Sequence, residues 1–123
     1  LHSLRDVVSD CAKKEGRVVF HPFDDVAVIN GQATLGVEML AAVPNLEAVV
    51  LSIGGGGLIS GVAKYLKSKN KKIKVYGVET IGADSMSASL KAGKIIALEI
   101  LALPKDKSIN SLIAIGFNEV LQS

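Results

Sequence analysis

Four consecutive glycines, Gly54 to Gly57, separate an apolar run, Glu47 to Ile53, from a segment of helical periodicity, Leu58 to Lys69. No other stretch restricts the fold as much. Glycine reaches positive φ without a steric penalty and lets successive backbone N–H groups face one concave turn. A helix starting there adds its own unsatisfied N–H groups and the positive end of its dipole. The combination suits an anion, best a phosphate monoester, held without any side chain. One or two glycines would satisfy a plain turn. Four in a row cost chain entropy, which argues for a ligand.

A second apolar run, Ile73 to Val78, follows the helical segment. The order strand, glycine loop, helix, strand is one crossover unit, and such units are right-handed in nearly all folds. Apolar residues make up 49% of the chain and aromatics only 4%, so the core must be built from Val, Ile, Leu and Ala. That composition fits a buried parallel sheet. The predicted class is α/β, a mostly parallel sheet flanked by helices.

Upstream, Leu4, Val7, Val8, Cys11 and Ala12 recur at helical spacing, and Gly16 ends the pattern. Cys11 reads as a small buried residue of that helix. Arg17 to Phe20 reads as a short strand. Pro22 interrupts pairing in His21-Pro-Phe-Asp-Asp25, and Asp24 or Asp25 can cap the next helix, Val26 to Val43. His21 reads as a structural residue rather than an acid or base. Within the helix, Gly31 and Gly36 each cost about 1 kcal/mol of propensity and are expected to permit close packing. Downstream, a helix is predicted from Ala83 or Asp84 to Ala92, stopped by Gly93. Leu98 to Leu103 is apolar, and Ser108 to Gln122 fits either a strand or a helix.

The glycine run fails the dinucleotide pattern G-x-G-x-x-G in every frame. From Gly54 the sixth position is Ile59, from Gly55 it is Ser60, and from Gly56 the third is Leu58. The Walker pattern fails because Val62-Ala63 follows Gly61. Glu79 stands where a ribose-binding acid would, which keeps a nucleotide-binding domain as an alternative. Only Tyr65 is interleaved with the lysines from Lys64 to Lys74, so they read as a solvated helix end and not a nucleic-acid surface. With one cysteine, no disulfide framework can form within the chain. No apolar run is long enough to span a membrane, and no signal peptide is visible. A cytoplasmic setting is expected.

Four segments then agree in order and spacing: His21-Pro-Phe-Asp-Asp25, Gly31-Gln-Ala-Thr34, Ser52-Ile-Gly-Gly-Gly-Gly-Leu58 and Val78-Glu-Thr-Ile-Gly-Ala-Asp-Ser85. Together they resemble the serine/threonine dehydratase family, fold type II pyridoxal-phosphate enzymes, with a lean toward L-serine dehydratase. The match covers residues 1–95 well. The resemblance implies that Gly54, Gly55, Gly56 and Gly57 hold the phosphate of pyridoxal 5'-phosphate. It implies an ammonia-lyase that turns L-serine or L-threonine into a 2-oxo acid and ammonia. It also implies a cation beside the loop, with Glu79 and the carbonyl of Ala83 among its ligands. Ser85 stands where some relatives carry an acid, which favours a monovalent ion such as potassium. Ser111-Leu-Ile-Ala-Ile-Gly116 is loosely similar to a stretch in which a small residue, here Ala114, packs on a face of the cofactor. The intact family protein is expected to be a dimer acting on a small amino acid.

The family's Schiff-base lysine lies in a Ser-x-Lys-x-Arg context that no lysine of this chain has. No catalytic residue is therefore assigned. The expectation is a partial large, cofactor-binding domain over residues 1–123, with the lysine segment and the family's chain end outside it, inactive by itself. A noncatalytic phosphate-binding remnant of the fold is the other reading.

Overall fold

The structure, a computed structural model, describes residues 4–97 and 112–116 of the 123-residue chain. Helix α1 (Leu4–Glu15) and helix α2 (Val26–Ala42) precede strand β1 (Ala48–Ser52). Helix α3 (Gly57–Lys69), strand β2 (Lys74–Thr80), helix α4 (Ser85–Ala92) and strand β3 (Leu112–Gly116) follow. The sheet runs in the order β1-β2-β3. β1 and β2 are parallel, with Ser52 opposite Val78, whereas β3 returns antiparallel to β2, with Ala114 opposite Val78. The α/β class is as expected, and the described sheet is mixed, with one parallel and one antiparallel pair.

α3 explains the core. Ile59, Val62, Ala63 and Leu66 follow the 3, 4, 7 spacing of one helical face, and all are fully buried. They pack on Val49 and Leu51, the inward residues of β1, and on Val75 of β2. Behind α3 lies α2. A β-carbon built on Gly61 would fall 2.2 Å from the Ile29 carbonyl oxygen and 2.8 Å from Ala33 N, so the two backbones touch there. Gly36 approaches Tyr65 in the same interface, but a β-carbon on Gly31 would meet nothing. The packing role expected of both helical glycines thus belongs to Gly36 and not to Gly31.

Asp25 caps α2: its Oδ1 accepts from the N–H of Ala27 at 2.7 Å and of Val28 at 3.4 Å. His21 Nδ1 accepts from the N–H of Asp24 at 2.8 Å, and its ring meets Phe23 edge-on. Lys67 and Lys69 fall in the last turn of α3, where cations favour the dipole, and Lys69 Nζ lies 5.4 Å from the Tyr65 ring centre.

Two expectations fail. Arg17 to Phe20 forms no strand, and Val18 and Phe20 are 77% and 72% exposed. The β pattern is present, but among the described residues no strand pairs with it. Cys11 is exposed rather than buried, since among the described residues nothing covers that part of α1. The apolar run from Leu98 to Leu103 lies outside the described residues. Within Ser108 to Gln122, the described part, 112–116, is a strand.

Candidate functional site

The parallel pair β1–β2 ends where the chemistry gathers. Ile53 N–H donates to the Val78 carbonyl at 2.8 Å, which carries the ladder to the edge of the glycine loop. Ligands of open α/β sheets sit beyond the C-terminal ends of parallel strands. An open cavity of about 880 Å³ lies there, lined in part by Gly54, Gly55, Gly56, Ser60, Thr80 and Ala83.

Gly56 is the N-cap of α3. Its φ is +87°, a left-handed value that favours glycine, and it offers no side chain to the helix end. The first bond of the helix runs from Ser60 N–H to the Gly56 carbonyl, at 3.0 Å. The N–H groups of Gly57, Leu58 and Ile59 therefore have no acceptor within the helix. Among the described residues no Lys, Arg or His lines the cavity. An anion there would be held by backbone N–H groups, the α3 dipole and hydroxyls, a donor set that fits a phosphate monoester. Pyridoxal phosphate passes this test at its phosphate end.

The four glycines do not share one reason. A β-carbon on Gly55 would fall 2.0 Å from the Phe23 ring, and one on Gly57 would fall 2.9 Å from the Phe23 Cα. These two let the His21–Asp25 segment lie across the loop. Gly54 has open space around its missing side chain and lines the cavity. The ligand argument drawn from the whole run therefore rests most directly on Gly54 and on the turn at Gly56. Phe23 was missed as a site residue. Its signal was the placement of a large aromatic two residues ahead of a helix cap.

Glu79, expected at a strand end, is 2% exposed. Its Oε1 accepts from Met86 N–H and its Oε2 from Ser87 N–H, both at 2.9 Å. The carboxylate thus caps α4, whose N-cap residue Asp84 makes no side-chain cap bond. Glu79 is buried and is not among the residues lining the cavity, so a ribose bound there would not meet it, which removes the main support for the nucleotide alternative. The Ala83 N–H donates to the Thr80 carbonyl at 2.9 Å, closing a turn that brings Ala83 to the cavity wall. Ala114 lies on β3 opposite Val78, level with Ser52 and two strand spacings, about 10 Å, from it. Among the described residues no group of three or more His, Cys, Asp or Glu could hold a metal ion, and no helix is long and apolar enough to cross a membrane.

Comparison with known proteins agrees with this geometry. The family model described as "Pyridoxal-phosphate dependent enzyme" matches residues 2–121. An L-threonine ammonia-lyase of Thermotoga maritima is 50% identical over 82 residues, covering 67% of this chain and 20% of the relative. A serine racemase of Arabidopsis thaliana is 39% identical over 100 residues, covering 81% of this chain and 30% of the relative. The structure of maize serine racemase superposes with a TM-score of 0.73 at 40% identity, covering 80% of this chain and 31% of that one. The chain thus spans between a fifth and a third of the length of these proteins. The similarity within the group is to threonine ammonia-lyases and serine racemases. With a match along nearly its whole length and the glycine loop in place, the chain belongs to the family of pyridoxal-phosphate-dependent enzymes.

Proposed function

We propose that this chain supplies the phosphate-holding part of a pyridoxal-phosphate-dependent ammonia-lyase acting on L-serine or L-threonine. Residues 1–123 then form a partial cofactor-binding domain, and the lysine that engages the cofactor lies outside them. The observation that carries the reading is the first turn of α3, without a side-chain cap, at the end of a loop whose Gly54, Gly55 and Gly56 line a cavity with no basic side chain among the described residues. When bound, pyridoxal phosphate supplies an electron sink for loss of the α-proton and the β-hydroxyl. The loop N–H groups would hold its phosphate, and Ala114 is the small residue that the resemblance assigns to a face of its ring. The name of the Thermotoga maritima relative favours the lyase over a nonenzymatic remnant.

A monovalent cation, potassium by preference, completes the site. Each Glu79 oxygen keeps a second lone pair, the Ala83 carbonyl adds a hard oxygen, and Ser85 offers a hydroxyl in place of a carboxylate. Comparing ligand binding in potassium and in magnesium checks this. The principal test is thermal unfolding of the chain with pyridoxal phosphate, pyridoxal or a dinucleotide. Stabilisation by pyridoxal phosphate, absent with pyridoxal and reduced by inorganic phosphate, is expected. Equal stabilisation by pyridoxal, or stabilisation by the dinucleotide alone, defeats the reading.

A further inference from the structure

We infer that Glu79 is a positioning residue for the glycine loop, acting through α4 and the Met86 side chain. The inference rests on the phosphate site proposed above, and one of its readouts needs no ligand.

Three observations connect the two places. First, Glu79 is buried at the end of β2, no basic side chain among the described residues is bonded to it, and each of its oxygens accepts one bond from the first turn of α4. A buried carboxylate held by two N–H groups and a helix N-terminus fixes that helix firmly, because charged acceptors make strong hydrogen bonds. Second, the residue whose N–H meets Oε1, Met86, carries its side chain to the loop: a β-carbon on Gly56 would fall 2.8 Å from Met86 Cε. Met86 also packs on the hydrophobic core and lines the cavity, so it touches both α4's anchor and the loop. Third, Gly56 is the left-handed residue on which the turn into α3 depends, and the N–H groups behind it are those left for the phosphate. A shift of α4 therefore shifts Met86, and Met86 bears on the residue that aims the phosphate donors. The carboxylate reaches the ligand through packing rather than by touching it.

The test uses the full chain and two variants, Glu79→Gln and Met86→Ala. Glu79→Gln keeps shape but replaces one acceptor oxygen with a donor, so it breaks one of the two α4 bonds. Met86→Ala leaves the anchor and removes the contact with Gly56. Two quantities are read: the amide resonances of Gly55 to Gly57 without ligand, and the affinity for pyridoxal phosphate followed by phosphorus resonance. Both variants should move the Gly56 and Gly57 amides and weaken phosphate binding by about threefold or more. The combined variant should weaken it by less than the product of the two single effects, because both act along one route. The same changes should appear with tetramethylammonium in place of potassium. Unmoved glycine amides in folded Glu79→Gln overturn the inference, as does an effect of Glu79→Gln that disappears when potassium is withheld. Should Glu79→Gln fail to fold, Met86→Ala decides: unchanged amides and affinity overturn it. If the unmodified chain binds no phosphate ligand, the proposed function fails, and the amide shifts alone decide the positioning role.

Discussion

The Phe23 ring lies against Gly55 so closely that a β-carbon there would sit 2.0 Å from its Cγ. Gly55→Ala should therefore destabilise the chain by about 1–3 kcal/mol, the usual cost of overpacking. Phe23→Ala in the same chain should recover part of that loss. Urea unfolding of the two single variants and the double variant checks the coupling.

Gly54 and Gly56 separate binding from folding. Gly54 has open space and an ordinary φ, so Gly54→Ala should change stability by less than about 0.5 kcal/mol. Its new methyl group would enter the phosphate cavity, and pyridoxal phosphate should bind about tenfold more weakly. Gly56→Ala should cost about 1–2 kcal/mol of stability from the left-handed backbone alone. Unfolding and ligand titration of both variants show whether the two costs divide this way.

Two glycines of the helical pair α2 and α3 should respond in opposite senses. Gly61→Ala drives a methyl into the Ile29 carbonyl and the Ala33 nitrogen, backbone atoms that cannot rotate aside. The loss should exceed the roughly 1 kcal/mol gained in helix propensity. Gly31→Ala meets nothing and should stabilise by about 0.5–1 kcal/mol. Their denaturation midpoints should fall on opposite sides of the unmodified chain.

Asp25→Ala removes the acceptor for Ala27 and Val28 and should cost about 0.5–2 kcal/mol. Asp25→Ser should retain most of the cap. Amide exchange in the first turn of α2 reports the fraying directly, and protection equal to that of the unmodified chain would count against the cap.

The sequence disclosed what periodicity and punctuation encode. The α3 face of Ile59, Val62, Ala63 and Leu66, the stop at Gly93 and the cap at Asp25 all follow from local rules. The glycine loop between β1 and α3 was legible because glycine at four successive positions has few uses. What stayed hidden depends on distant neighbours. Glu79 at a strand end reads as a ribose or cation ligand and not as a helix cap, since the N–H groups it accepts from are backbone groups on the far side of a turn. That Gly55 must also lack a β-carbon because Phe23 occupies the space could not be read from the run of glycines. Arg17 to Phe20 has the composition of a strand, but composition cannot supply the partner that pairing requires.

The register of β1 against β2 has a practical consequence. Ser52 opposite Val78 sets the glycine loop and Glu79 at the same height, and a slip of one residue would turn Glu79 outward. The loop is consequently not a portable cassette. Transplanting Gly54–Gly57 onto another scaffold would carry the curve of the backbone but not its brace. A graft that hopes to work must bring the whole of Lys74–Thr80 and the opening turn of α4 with it.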